Sequence, residues 1–294
     1  MELNKILDYA IAKDEMSKNA SVTAGYKLDN SGYGNYLSNN SFADFVADMQ
    51  QNNPVAYEMF GKGGGKELVI RKVGANIYPP KMASFGSSSR MIYNMMKDVD
   101  GFLFEKKLHT TIGGTANLDG FYETDDKYMF FEAKCREPYS AKDKTVADKY
   151  KKLYEFISKS GISLRCNVVR TVDKKMPVEF VVANTPVECF DMKQMICHLL
   201  GVATACLNGK YADKKIEFVY LLFNPNLIQI NEGKDKICNI YSKTCDECNL
   251  VDFKALLGVI IDYLQNEESV GKMKNKNDIL NRFSFSLCDQ TLKL

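Results

Sequence analysis

The chain has 294 residues, 45% of them hydrophobic and 26% charged, which is ordinary for a globular protein long enough to bury a substantial core. Its formal net charge of +2 provides no overall attraction to polyanions, so any nucleic-acid surface has to be a local patch. Met1 to Glu15 mixes acids with apolar residues, unlike a secretory signal, and the longest apolar runs, Met195 to Leu207 and Ala255 to Leu264, fall short of the ~20 residues a bilayer span needs. The expectation is a soluble, cytoplasmic protein with no membrane partner.

Residues 1 to about 60 read as mostly helical, with Leu3, Ile6 and Leu7 opening one helix and Phe42, Phe45, Val46 and Met49 marking another. Between them the Asn-, Ser- and Gly-rich Lys27 to Ser41 reads as a loop. Gly61 to Lys66, GKGGGK, lacks the Walker spacing and the following Ser or Thr, and a strand-like ELVIRKV comes after it, which argues against a triphosphate site. Tyr78-Pro79-Pro80 makes a rigid connector.

Ser87 to Val99 is predicted as a helix with Met91, Ile92, Met95, Met96 and Val99 on one face. A strand, Phe102 to His109, and a turn, Thr111 to Thr115, lead into the hairpin Ala116 to Cys135. Beyond it, Ser140 to Gly161 reads as a lysine-rich helix with Val146, Tyr150, Leu153 and Ile157 inward, followed by extended segments Leu164 to Val172 and Val178 to Ala183. Asp191 caps a helix reaching Cys206, and the near-continuous apolar run Ile216 to Phe223 suits a strand covered on both faces. The tail holds a cysteine-bearing loop, an apolar helix from Val251 to Leu264 and a polar end.

Nine cysteines form no disulfide framework, and Cys135, Cys166, Cys189, Cys197 and Cys206 read as reduced and buried. Cys238, Cys245 and Cys248 supply one CxxC and an outlying thiol, and His109 and His198 lie far from them in sequence. A loop that happens to hold cysteines and a zinc or iron interaction site are the two readings of that spacing.

The hairpin carries the chemistry. A turn centred on Asp125-Asp126 fixes the register so that Asp119 faces Glu132, Phe121 faces Phe130 and Asn117 faces Lys134. Glu132 and Lys134 share a face with Asp119, while Met129, Phe131, Ala133 and Cys135 form the opposite, core face. Opposed carboxylates among aromatics destabilise a sheet unless something compensates, and a hard divalent cation such as Mg²⁺ does so with carboxylate oxygens, water and phosphate. The alternative is a structural ion pair of Lys134 with one of the acids. A second ExK, Glu105-Lys106-Lys107, lacks a preceding hairpin with an opposed acid, so local context favours Glu132.

Asp119 followed by Glu132-Ala133-Lys134, within a helix–strand–strand–strand–helix–strand order, resembles the PD-(D/E)XK nuclease superfamily. That resemblance implies an α/β fold with a restriction-endonuclease-like core (αβββαβ), a mixed sheet flanked by helices, at residues 86–225 with an insertion at 136–190, an N-terminal extension at 1–85 and a C-terminal one at 226–294. It implies Mg²⁺, with Mn²⁺ as a substitute, bound by Asp119, Glu132 and the carbonyl of Ala133, with Lys134 assisting the attacking water and Gln194 near the metal. His198 stands where RecB-like members have a Tyr. Some members carry an acid on the first helix, for which Asp98, Asp100 and Glu105 are the candidates here. The implied partner is DNA, contacted by Arg136, Lys142 and Lys144, and the implied reaction is endonucleolytic cleavage, restriction-like and therefore sometimes by a homodimer. A recombination or repair nuclease, a non-catalytic nucleic-acid-binding protein and a cysteine-metal interaction protein are the alternatives.

Overall fold

The computed structural model describes residues 26–28, 34–37, 39–62, 67–73, 76–140, 144–162, 165–167, 178–183, 190–227, 233–266 and 276–294. Two small hairpins lie near the start, β1 (Tyr26–Leu28) with β2 (Gly34–Leu37) and β3 (Arg71–Val73) with β4 (Asn76–Tyr78). Helices α1 (Asn39–Asn52) and α2 (Pro54–Lys62) separate them. Helix α3 (Ser88–Met96) then starts at Ser87, whose hydroxyl accepts a hydrogen bond from the Arg90 amide, and it leads to β5 (Leu103–His109), β6 (Thr115–Glu123) and β7 (Lys127–Lys134).

These three strands form an antiparallel meander within a five-stranded sheet ordered β12-β11-β7-β6-β5. Strand β11 (Lys215–Leu222) runs parallel to β7, and β12 (Phe283–Asp289) runs parallel to β11. The parallel step from β7 to β11 requires a crossover, and α5 (Met192–Leu207) supplies its helix, capped by Asp191 as the sequence predicts. The order helix, three strands, helix, strand is therefore present, in a mixed sheet flanked by helices.

Alternation along the strands divides the core into two layers. Tyr128 and Phe130 of β7, with Ile216, Phe218, Tyr220 and Leu222 of β11, pack under α5 and α7 (Phe253–Asn266). Met129, Phe131, Ala133, Val219 and Leu221 face the other way, against Ile92, Tyr93 and Met96 of α3 and Met49, Ala56 and Phe60 of α1 and α2. Gly201 lets α5 sit close on the sheet, since a Cβ there would fall 2.7 Å from the Cβ of Ala116.

Four expectations are corrected. Within Lys27 to Ser41, read as loop, lie β1, β2 and the start of α1. The predicted helix Ser140 to Gly161 is instead β8 (Lys144–Ala147) followed by a shorter α4 (Lys151–Lys159), because β8 pairs with β10 (Val178–Ala183), which also pairs with β9 (Arg165–Asn167). The cysteine loop is α6 (Lys234–Asn249), in which Ile237, Thr244 and Cys248 face inward at helical spacing. The polar tail contains α8 (Lys276–Arg282) and the edge strand β12. After Gly61 to Lys66 only Arg71–Val73 is strand. The expected helix around Leu3 to Ile11, residues 63–66, Lys142, the Lys144 side chain and most of Leu164 to Val172 lie outside the described residues. Among the described residues no helix is long and apolar enough to cross a membrane.

Candidate active site at the open end of the hairpin

The expected hairpin register is present. Phe121 pairs with Phe130 and Gly120 with Phe131, and the tight turn is closed by the Thr124 amide donating to the Lys127 carbonyl at 2.9 Å. The ladder ends at Gly120–Phe131. One step further, the side chain of Asp119 replaces a backbone acceptor, its Oδ2 taking the Ala133 N–H at 2.7 Å.

The same position interrupts the other side of β6. Phe104–Gly120 and Lys106–Leu118 are paired, but Glu105 and Asp119, level with each other between them, are not. Phe104 belongs to the α3 layer, whereas Lys106, two residues on, lies over the Phe121 ring in the α5 layer. Regular alternation would keep both on one side. Glu105 absorbs the switch with φ of 53°, in the left-handed region that a non-glycine residue seldom adopts.

Asp119, Glu132, Ala133, Lys134 and Gln194 all line one cleft of about 670 Å³. Glu132 and Lys134 point from β7 to the same side and form a buried ion pair, with side-chain exposures of 1% and 5%. His198, one turn along α5 from Gln194, approaches Glu132 from the other side, with Nε2 2.8 Å from Oε2. The ring and carboxylate are not aligned as a hydrogen bond, so the buried Oε2 of Glu132 has no hydrogen-bond partner among the described residues.

Electrostatics separate the two acids. Burial and then the charge of Glu132 push the Asp119 carboxyl well above its usual range, against the opposing pull of Lys134 and the Ala133 N–H. Burial also acts on Glu132, but Lys134 and His198 outweigh it and leave its pKa below that of an ordinary glutamate. Lys134 pays for burial too, and Glu132 followed by Glu137 reverses that, so its ammonium is held above the usual lysine range.

Residues absent from the sequence-based set complete the walls. Ser88 Oγ donates to Glu137 Oε1 at 2.6 Å, and the Cys135 amide donates to Glu137 Oε2 at 3.0 Å, fixing the end of β7 against the start of α3. Glu105, discounted as part of the less favoured ExK, lines the cleft, as do Glu67 and Arg136. Asp98 and Asp100 are exposed and stand outside it, so neither is the helix-borne acid. His109 is exposed and also outside it. The charge step at Glu105 had no signature in the residue pattern, because it depends on a left-handed backbone.

Cys238, Cys245 and Cys248 are free thiols on α6, and Cys238 lies 3.0 Å from Asn226 Oδ1. Among the described residues, no three His, Cys, Asp or Glu side chains are grouped to hold a metal by themselves. The hard oxygens of Asp119 and Glu132, one of them buried without a hydrogen bond, fit a divalent ion that fills most of its shell with water and substrate oxygens. No family model, curated protein or solved structure matches this chain.

Proposed function

We propose that this protein is a Mg²⁺-dependent endonuclease with a restriction-endonuclease-like core, hydrolysing DNA phosphodiester bonds, in the manner of the PD-(D/E)XK nucleases it resembles. The observation that carries the reading is the meeting of Asp119, Glu132 and Lys134 in one cleft, at the point where the β6–β7 ladder gives way to side chains. The helix, three strands, helix, strand order supports it.

Asp119, Glu132 and the Ala133 carbonyl would hold Mg²⁺, or Mn²⁺ in its place. The ion, when bound, lowers the pKa of a coordinated water and offsets charge on the phosphate. Asp119, whose proton is easily retained in the free cleft, gives it up when a cation offsets its neighbour Glu132. Lys134, held charged, acts as a donor that orients the attacking water and stabilises the phosphate oxygens. Gln194, on the first turn of α5, offers an amide on the same side of the cleft. Arg136 would meet a flanking phosphate, which makes binding salt-dependent.

The test is incubation of the purified protein with plasmid and phage DNA, with Mg²⁺, with Mn²⁺ and with EDTA. Nicking or linearisation that needs the metal, and is lost in Asp119→Ala, Glu132→Ala and Lys134→Ala while the proteins stay folded, supports the reading. Cleavage by all three at the unmutated rate overturns it. Tight, salt-dependent binding with no cleavage in either metal identifies a non-catalytic binding protein instead.

A further inference from the structure

Glu105 is a carboxylate without an evident structural purpose. Its residue is 8% exposed, and no hydrogen bond or ion pair reaches it among the described residues. Its backbone is held in the left-handed region, at the step where β5 switches its facing. An unpaired buried carboxylate and a strained backbone both oppose folding, so the surrounding structure holds them at a cost.

Glu67 stands on the same wall. It is 4% exposed; its Oε1 accepts a hydrogen bond from Lys81 at 3.0 Å, while its buried Oε2 has no partner among the described residues. Its charge acts on Glu105 more strongly than any other, above Lys81, Lys107 and Glu132. The carboxylates facing the cleft outnumber its bases, with Glu67, Glu105, Asp119, Glu132, Glu137 and Asp191 against Lys81, Lys134 and Arg136. An anionic substrate would meet that excess unless cations offset it.

We propose that Glu67 and Glu105 form a second divalent-cation site in the same cleft, separate from the one assigned to Asp119 and Glu132. Mg²⁺ commonly takes one or two carboxylates and completes its octahedron with water and phosphate oxygens. The absence of any group of three metal-binding side chains fits two ions each held by a pair of carboxylates. The proposal rests on the nuclease reading only for the first ion, and the second ion's chemical role would be to neutralise substrate charge.

The experiment is a Mn²⁺ titration of the full chain at pH 8, with free Mn²⁺ read by electron paramagnetic resonance, on wild type, Glu105→Gln, Glu67→Gln and Asp119→Asn. Near-ultraviolet circular dichroism checks the fold, and Glu105→Gln is nearly isosteric and removes repulsion, so it should fold. The expected result is two ions per wild-type chain. Glu105→Gln and Glu67→Gln each keep one and weaken the other at least tenfold, and Asp119→Asn weakens the opposite one. A wild-type stoichiometry of one, unaltered in Glu105→Gln and lost in Asp119→Asn, overturns the second site and leaves the nuclease reading intact. Two ions lost as expected, but with no DNA cleavage, overturn the nuclease reading and uphold the second site.

Discussion

His198 Nε2 lies 2.8 Å from Glu132 Oε2, with both side chains almost fully buried. Helix α5 thus reaches the charged end of β7 through a residue that sequence pattern alone assigns to the core. The contact predicts that His198→Ala retains the fold but loses about 10–100-fold in metal affinity or cleavage rate, the usual cost of removing a group that orients a metal ligand. Parallel Mn²⁺ titration and cleavage assays check this; unchanged values would make the histidine a packing residue.

Lys134 and Asp119 should differ in stability although both should be needed for cleavage. Lys134→Ala leaves the buried Glu132 with one fewer counter-charge, and loss of a buried partner costs about 3–5 kcal/mol. Asp119→Asn removes a like charge from beside Glu132 and keeps an oxygen for the Ala133 N–H, so the metal-free protein should be as stable as wild type or more so. Urea denaturation in EDTA measures both, and equal losses would show that the acids do not repel.

The pH dependence follows from Glu105, whose carboxyl is raised by burial and then by Glu67 to about 7. A raised folded-state pKa in an acid means that its stabilising contribution is complete below the ordinary glutamate range and is lost as pH rises through about 7. At about 1.4 kcal/mol per pKa unit, the loss is on the order of 3 kcal/mol. Metal-free protein should therefore melt several degrees lower at pH 8 than at pH 5.5, Mg²⁺ should narrow the gap, and Glu105→Gln should flatten it. Thermal melts in EDTA with and without excess Mg²⁺ provide the measurement, and an unchanged slope in Glu105→Gln would exclude this carboxyl as its source.

Gly201 tests the seating of α5. A Cβ there meets the Cβ of Ala116 at 2.7 Å and that of Leu108 at 3.1 Å, neither of which can swing aside. Gly201→Ala should cost about 1–3 kcal/mol as overpacking and, by lifting α5, weaken metal binding through Gln194 and His198. Urea midpoints and Mn²⁺ affinity should move together, and a neutral Gly201→Ala would show that the layers can separate freely.

Much of the site was already legible in the hairpin, since alternation has period two and the turn at Asp125-Asp126 fixes which residues face each other. That is how Glu132, Lys134 and Asp119 came to one surface without any long-range information. The caps at Ser87 and Asp191 and the apolar run of β11 were equally local signals. Elements formed by distant pairing were not legible. The Lys144–Ala147 strand needs Val178–Ala183 as its partner, and the polar-looking Phe283–Asp289 becomes a strand only because β11 presents an open edge to it.

The sequence by itself determined the meander, its register and the three side chains it gathers, because a tight turn and strand pleating act over a few residues. Only the tertiary structure decided that β5 steps over at Glu105, that Glu67 comes from an early segment to stand beside it, and that His198 closes on Glu132. Those outcomes depend on how separate elements pack and on how buried charges repel or attract, and neither is encoded in the spacing of any one stretch.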